Sequence, residues 1–181
     1  SEFVGFKYFE NFFTSPSFPQ ILRNTVVISV MNLIFAFPAP IVLALLFNEV
    51  RHNKYKRVVQ SVVYMPHFMS WAVVTGITFF LFSTDVGIVN KLIMSMGGEA
   101  YPFLTQPDGF WWVILCQNIW KEMGWGTIVY LAAISQVDPG LYEAAIVDGA
   151  NRFQRVLHVT VPCIMPTLTV MFIMQLGRMM S

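Results

Sequence analysis

Residues 138–166 read DPGLYEAAIVDGANRFQRVLHVTVPCIMP, a polar stretch that begins and ends beside long apolar runs. Asp138 can cap a helix, and Pro139 suits the first helical position because proline has no N–H to lose there. Gly149 tolerates the left-handed conformation that ends a helix, so a second helix is expected to follow and to run toward the bilayer. The stretch therefore predicts a helix, a turn and a helix at a membrane surface.

One face of the first helix is predicted to allow another surface to approach closely. Residues at i, i+3, i+4 and i+7 lie on the same side of a helix. Here these positions hold Leu141, Ala144, Ala145 and Asp148. Since alanine side chains are small, another surface could approach this face closely.

The stretch resembles the EAA loop of the permease subunits of ABC importers. The resemblance rests on a Glu-Ala-Ala triplet, a downstream Asp-Gly-Ala group and late valines and prolines, namely Glu143, Ala144, Ala145, Asp148, Gly149, Ala150, Val159, Val161, Pro162 and Pro166. NTVVISV from Asn24, ALLFNEVR around Glu49, YMPHFMSW at 64–71 and GIVN from Gly87 are similar to the carbohydrate branch of that family, especially its complex-saccharide or lipoprotein/polysaccharide-type permeases. The resemblance spans nearly the whole chain.

The resemblance implies an all-α polytopic membrane protein, a transmembrane helix bundle of the type I ABC-importer permease kind with a cytoplasmic coupling-helix loop. It implies that this loop docks into a groove on a cytoplasmic ATPase, through Leu141, Glu143, Ala144, Ala145, Asp148, Gly149, Ala150 and Pro162. The implied partners are a second homologous permease subunit, an ATPase dimer that binds ATP and Mg, an extracellular solute-binding protein and a saccharide. Neither catalysis nor a cofactor is expected in this chain itself.

The composition also indicates a polytopic membrane protein. The 181 residues are 56% hydrophobic and only 12% charged, and the mean hydropathy is +0.60. A soluble domain usually has about 25% charged residues. The net charge of +1 does not suggest a nucleic-acid partner. Cys116 and Cys163 lack the spacing of a disulfide framework or a zinc site, and the GGEAY segment at 97–101 is not a phosphate-binding loop.

A single transmembrane permease domain is predicted, with spans at about residues 21–48, 58–83, 109–137 and 161–180 and a coupling loop at 138–160. Each apolar run is long enough, at about 1.5 Å per residue, to cross most of a hydrocarbon core of about 30 Å. Pro38 and Pro40 should kink or open the first span, and Pro66 and His67 should interrupt the second. His67 could be a proton relay, but a structural histidine is preferred because no second ionisable residue lies in its span.

The positions of the basic residues predict the orientation. Residues 1–20 are aromatic and amphipathic, which suits an anchor at the lipid interface. Residues 84–108 are expected to form a partly ordered external loop. The cytoplasmic side then holds Arg51, Lys54, Lys56, Arg57, Arg152 and Arg155, and the external side holds Lys7, Arg23, Lys91 and Arg178. Positive charge accumulates on the cytoplasmic side of membrane proteins, so this arrangement fits a multi-pass protein of the cytoplasmic membrane.

The third predicted span carries charges near the middle of the bilayer. Lys121 and Glu122 would lie about 18 Å deep, where each charge costs at least about 2.5 kcal/mol. An aromatic ring beside hydrogen-bonding groups suits a sugar. The candidate substrate path is therefore Gln117, Asn118, Trp120, Lys121, Glu122 and Gly124. A buried ion pair between subunits, or helix packing at the glycine, explains the same residues equally well.

Two functional hypotheses follow. The leading one is half of the translocation path of an ATP-driven, binding-protein-dependent sugar or oligosaccharide importer. The alternative is an ion-coupled secondary transporter or channel in which Lys121, Glu122 and His67 handle ions. A membrane enzyme ranks lower because no H-E-x-x-H or G-x-S-x-G motif occurs. By resemblance, such permeases have one more span on either side of the four predicted here, so the sequence is expected to be a fragment.

Overall fold

The computed structural model describes residues 6–50 and 52–178, without the side chains of Lys7 and Phe9. These residues form helices and no strand. The α-helices are α1 (Lys7–Phe13), α2 (Phe18–Met31), α3 (Pro38–Glu49), α4 (Asn53–Tyr64), α5 (Trp71–Phe82), α6 (Ile88–Ser95), α7 (Pro107–Ile134), α8 (Pro139–Val147), α9 (Arg152–Arg155) and α10 (Val161–Arg178). The all-α prediction is confirmed. Arg51, residues 1–5 and residues 179–180 of the predicted fourth span lie outside the described residues.

The first predicted span is one continuous helical stretch, Phe18–Glu49. It consists of α2, a wide helical turn at Asn32–Ala36, and α3. In that turn the N–H of Phe37 donates to the carbonyl of Asn32, five residues earlier, at 2.9 Å. Pro38 has no N–H and its ring crowds the preceding turn, so one extra residue in the turn relieves the clash. The prolines therefore widen this helix without breaking it.

The second predicted span is broken. After α4 ends, a tight helical turn at Met65–Phe68 leads to α5. The chain bends by 101° between the two helices. Pro66 cannot donate an N–H to continue the helix. The Oγ of Ser70 then accepts the N–H of Val73 at 3.3 Å and caps α5. The predicted interruption at Pro66 and His67 is confirmed, and residues 65–70 are called the elbow below.

The loop after α5 is folded around one asparagine. Asn90, on α6, is completely buried. Its Nδ2 donates to the carbonyls of Tyr101 at 2.9 Å and Ser83 at 3.2 Å, and its Oδ1 accepts the N–H of Tyr101 at 2.8 Å. At Gly87 a Cβ would collide with the backbone of Ser83. The segment predicted to be a partly ordered loop is therefore tied to the end of α5.

The long helix α7 passes through the centre of the molecule. The buried core joins α3, α7 and α10 through Ala44, Tyr130, Ile134 and Ile164. A Cβ added at Gly124 would collide with the carbonyl oxygen of Val63 in α4. The absence of a side chain there lets the two helix backbones approach closely. The helix that carries the predicted substrate residues is thus also the main packing surface of the fold.

The last helical stretch begins inside the predicted coupling loop. α9, a second wide turn at Val156–Thr160, and α10 form one stretch, Arg152–Arg178. The wide turn comes directly before Pro162, as the first one comes before Pro38. Residues 152–160 are therefore the first turns of the helix that leads into the fourth predicted span.

By length and composition, two stretches of the described chain can cross a membrane, Phe18–Glu49 and Arg152–Arg178. The bent pair of α4 and α5 is a third if it forms one span. α7 has 28 residues and is long enough, but it carries charged residues, and its crossing stays a prediction. Large apolar side chains such as those of Ile34 and Leu46 are exposed, which suits contact with lipid.

Candidate functional site

The helix α8 begins as the sequence predicts. Asp138 occupies the N-cap, where its Oδ1 accepts the N–H of Gly140 at 2.9 Å. Pro139 is the first helical residue. The side chain of Asp138 therefore pairs one of the N–H groups that the first turn of a helix leaves free.

The end of α8 depends on Gly149. This residue has φ of 80°, and no described atom would lie within 4 Å of an added Cβ. Its N–H donates to the carbonyl of Ile146 at 3.0 Å, and the N–H of Ala150 donates to that of Ala145 at 2.9 Å. The positive φ, and not a lack of space, thus requires glycine here. The predicted turn is confirmed.

The next helix starts at once, with a cap of its own. Oδ1 of Asn151 accepts the N–H of Gln154 at 2.9 Å, and Oε1 of Gln154 accepts the N–H of Asn151 at 2.8 Å. These two reciprocal hydrogen bonds give partners to two N–H groups at the start of α9. The segment from α8 to α9 is therefore a short helix, a tight turn and a second helix whose ends are satisfied locally.

The residues of α8 differ in their surroundings. The hydroxyl of Tyr142 lies 3.0 Å from Oγ1 of the buried Thr160, and Ala145 is half-buried. Toward the end of the helix, Ile146 is 55% exposed and Val147 is 87% exposed. Phe153, just beyond the turn, is 71% exposed. These last three apolar residues form what we call the outer patch.

Half of the predicted coupling residues share one groove. Ala145, Asp148, Gly149 and Ala150 line this groove of about 270 Å³ together with Arg155. Pro162 is exposed on α10. The other three, Leu141, Glu143 and Ala144, are exposed on α8. Their role in coupling stays a prediction.

A second polar site lies where α7 meets the elbow. Lys121 is only 4% exposed, and its Nζ donates to the carbonyl of His67 at 2.8 Å. Oε1 of Glu122 lies 3.5 Å from the same Nζ, and Oε2 lies 2.9 Å from Nδ1 of His67. The ring of His67 stacks on that of Trp125 with centroids 4.6 Å apart, and the Lys121 ammonium lies 5.2 Å from the centre of the Trp71 ring. We call these contacts the elbow site.

The six residues of the predicted substrate path lie in three different environments. Lys121 and Gly124 are buried against the elbow and α4. Gln117 and Trp120 line an apolar groove between α5 and α7. Asn118 and Glu122 line a more polar cleft of about 250 Å³, with Ala36, Phe37, Pro40, Gly126, Tyr130, Met171, Met174, Gln175 and Arg178. Lys121 and Gly124 therefore have packing contacts, as one alternative expected, and a substrate role for the six residues stays a prediction.

Three important residues are not in the predicted set. His67 has an ionisable partner, Glu122, although that partner lies in another helix. Trp125 follows Lys121 by one helical turn, and Oδ1 of Asn32 accepts the Nδ2 of Asn118 at 2.8 Å. A histidine beside a proline break and a lone asparagine in an uncharged run were visible in the sequence. Their partners were not, because those contacts join helices that are far apart along the chain.

Comparison with known proteins agrees with this architecture. Residues 24–181 match the family described as "Binding-protein-dependent transport system inner membrane component". Protein LplB of Bacillus subtilis is 52% identical over 181 residues, covering 100% of this chain and 57% of LplB. The polygalacturonan/rhamnogalacturonan transport system permease protein YteP of the same organism is 48% identical over 177 residues, covering 98% of this chain and 55% of YteP.

The chain is also similar to a protein of known structure. The crystal structure of a bacterial alginate ABC transporter in complex with an alginate pentasaccharide-bound periplasmic protein matches with a TM-score of 0.91 and 43% identity, over 97% of this chain and 61% of that chain. This chain thus spans little more than half the length of the curated relatives it matches. It is a helical, multi-pass membrane protein, and it belongs to the family of inner membrane components of binding-protein-dependent transport systems.

Proposed function

We propose that this chain is a permease subunit of an ATP-driven, binding-protein-dependent importer of saccharides. The observation on which the proposal rests is the outer patch on and beside α8, in a segment that resembles the EAA loop. This patch is apolar, lies beside charged groups and is uncovered by the described chain. Proteins seldom leave such side chains exposed outside a membrane unless another protein covers them. The implied occupant is a groove on a cytoplasmic ATPase, which would bind the ATP and Mg.

The contact with the ATPase would combine apolar and charged groups. Ile146, Val147 and Phe153 would supply the apolar area, since buried aliphatic and aromatic residues dominate binding at the centre of an interface. Glu143, exposed on the same helix, would pair with a basic group in the groove. Leu141, Ala144 and Asp148 would border the contact. Ala145, Gly149 and Ala150 would act indirectly, by shaping the turn, and Pro162 would act from within α10.

The mechanism would be alternating access. Closure of an ATPase dimer would move α8, which joins α7 on one side and the Arg152–Arg178 stretch on the other. Because α8 has local caps at both of its ends, it can move as a stiff unit. The helices that it connects would then shift between inward-open and outward-open arrangements. A second, homologous permease subunit would provide the other half of the path, and an extracellular binding protein would deliver the substrate.

The saccharide would contact the polar cleft between α7 and α10. Asn118, Glu122 and Gln175 offer donors and acceptors there, and Phe37 offers a ring surface. This combination suits sugars, whose hydroxyl groups need hydrogen bonds and whose C–H faces stack on rings. YteP is named for polygalacturonan and rhamnogalacturonan transport, and the similar solved transporter is named for alginate, which supports a saccharide as the substrate class.

One observation favours the alternative of an ion-coupled transporter. The contact of His67 with Glu122 beside Lys121 is a group of ionisable residues within the helix bundle, and such groups serve as proton relays in some transporters. Under that alternative, uptake would follow the membrane potential and would persist after deletion of the ATPase gene. Under the importer proposal, the same deletion abolishes uptake.

Cross-linking from α8 tests the proposal. Cys116 and Cys163 are free and exposed, so both are first replaced by serine. Val147→Cys is then compared with Val86→Cys, which is also exposed but follows α5 on the predicted external side. We expect the cysteine at 147 to form an adduct with the ATPase that changes when ATP is added, and the cysteine at 86 to form none. Adducts from both positions, or from neither in a correctly inserted protein, would contradict the proposal.

A further inference from the structure

The elbow between α4 and α5 rests on a single face of α7. At the end of α4, the backbone of Val63 meets Gly124. In the elbow itself, the carbonyl of His67 meets Lys121, and at the start of α5 the ring of Trp71 lies beside the same ammonium. One helix therefore contacts both arms and the corner between them.

Lys121 gives a hydrogen-bond partner to a carbonyl group at the bend. A chain that leaves a helix in an apolar environment exposes carbonyl groups that have no partner, and each unpaired group is costly. Nζ of Lys121 reaches the carbonyl of His67 at 2.8 Å. The buried ammonium in turn has Glu122 at 3.5 Å and the Trp71 ring at 5.2 Å. Since a buried charge is tolerated only with partners, charge and bend stabilise one another.

The side chain of His67 is fixed from two directions. Its Nδ1 lies 2.9 Å from Oε2 of Glu122. Its ring lies parallel to that of Trp125, with an angle of 4° between the planes. Rotation of the ring would break both contacts at once. The arrangement at Met65–Phe68 is therefore held by side chains of α7 as well as by its own backbone.

The same helix leads to α8. Only residues 135–138 separate the end of α7 from the start of α8, and backbone hydrogen bonds continue through them, from Ser135 to Leu131 at 3.0 Å and from Val137 to Ile134 at 3.1 Å. A displacement of α8 would thus reach the elbow through a short turn and then along one long helix.

We propose that Lys121, Glu122, Gly124 and Trp125 clamp the elbow at a fixed angle, so that α4 and α5 move as one body with α7. The proline break is then a rigid corner and not the flexing joint of transport. Lys121 and Glu122 are positioning residues in this scheme. The clamp itself follows from the contacts above, whereas its role in passing on the motion of α8 rests on the proposed function.

Distances between spin labels test the clamp in the full-length permease assembled with its partner subunits. Labels are placed on α4 at Val58 and on α5 at Phe80, both well exposed, after replacement of the two native cysteines by serine. We expect one narrow distance distribution that is the same without nucleotide and with trapped ATP. A distance that shifts with nucleotide would show that the elbow flexes, and would overturn the proposal.

The variant Lys121→Met tests the cause. It keeps most of the length of the side chain and removes the charge and the donor to the carbonyl of His67. We expect the distribution between positions 58 and 80 to broaden, and Lys121→Arg, which keeps both charge and donor, to restore a narrow distribution. An unchanged distribution in Lys121→Met would overturn the clamp. If Lys121→Met does not assemble, Trp125→Leu, which removes the stacking partner of His67, provides the same test.

Failure of the proposed function would look different. In that case the ATPase would not co-purify with the parent protein or with any variant, and the transmission of motion from α8 would be overturned. The distance between positions 58 and 80 would still decide whether Lys121 holds the elbow. A complex that forms normally while Lys121→Met leaves the distance unchanged contradicts the clamp alone.

Discussion

The elbow site and the helix α8 differ in where their polar and apolar groups lie. At the elbow site, the buried Lys121 and the partly exposed Glu122 each have a partner outside α7. On α8, the ends are capped by neighbouring residues, while the outer patch has large apolar side chains that the described chain does not cover. The groups of the first region have contacts within this chain, whereas the outer patch of the second is available to a partner.

This difference separates residues that hold the fold from residues that act on partners. Substitutions at a completed site should lower stability, because they leave a buried group unpaired or create a collision. Substitutions at a prepared surface should leave stability nearly unchanged and weaken an interaction. The four expectations below are ordered by their effect on thermal stability.

The largest effect is expected from Gly124→Ala. The new Cβ would collide with the carbonyl oxygen of Val63, and backbone cannot move aside as a flexible side chain can. Overpacking of this kind costs about 1–3 kcal/mol or more. The melting temperature of the purified protein in detergent measures it. Gly76→Ala, where an added Cβ meets no described atom within 4 Å, is the control and should melt like the parent.

Gly149→Val should have a smaller effect on stability and a large one on transport. A β-branched residue at φ of 80° is strained by about 1–2 kcal/mol, so the turn after α8 would change its shape. We expect ATP hydrolysis to continue while saccharide uptake falls, as measured in proteoliposomes. Gly149→Asn is the control, because asparagine tolerates this conformation. Normal uptake by Gly149→Val would contradict a coupling role for the turn.

Tyr142→Phe should cost about 1 kcal/mol, the usual contribution of one hydrogen bond. It removes the contact of the Tyr142 hydroxyl with Thr160, which joins α8 to the helix that follows. The melting temperature again provides the measurement, with Tyr55→Phe on the exposed side of α4 as the control. Equal melting temperatures for the two variants would show that α8 is not held to that helix by this bond.

Glu143→Gln should leave stability unchanged, because Glu143 is exposed. We expect weaker binding of the ATPase and a smaller dependence of that binding on salt, since a charge pair at the rim of an interface would be lost. Titration of the ATPase against the reconstituted permease at two salt concentrations measures both. Glu99→Gln, in the loop predicted to be external, should have no effect. A destabilised Glu143→Gln would mean that Glu143 belongs to the fold.

Much of the fold could be predicted because its causes are local. Asp138 with Pro139 starts α8, Gly149 ends it, and Pro66 breaks the second span. The response to Pro38 was predicted only as one of two outcomes. A kink or a local opening was expected, and the helix opens locally as a wide turn at Asn32–Ala36. Both outcomes relieve the same clash, and the choice between them depends on how the neighbouring helices pack.

The contact partners of the residues in the two sites were harder to predict. The spacing on α7 correctly drew attention to Lys121 and Glu122, but spacing within one helix cannot reveal what faces it. Lys121 donates to a carbonyl in the elbow, more than fifty residues earlier in the chain, and Asn118 donates to Asn32. Contacts of this kind arise from tertiary packing. These contacts hold helices together, and a role of the same helix in the substrate path stays a prediction.

Hydrogen exchange tests the contrast between the two regions most directly. The full-length permease is compared alone and after assembly with the ATPase, and exchange is followed in α8 and in residues 63–71 around the elbow. We expect α8 to become protected on assembly while exchange at the elbow stays slow and unchanged. Unchanged exchange in α8, together with altered exchange at the elbow, would contradict the central claim that the first is open to a partner and the second is closed within the chain.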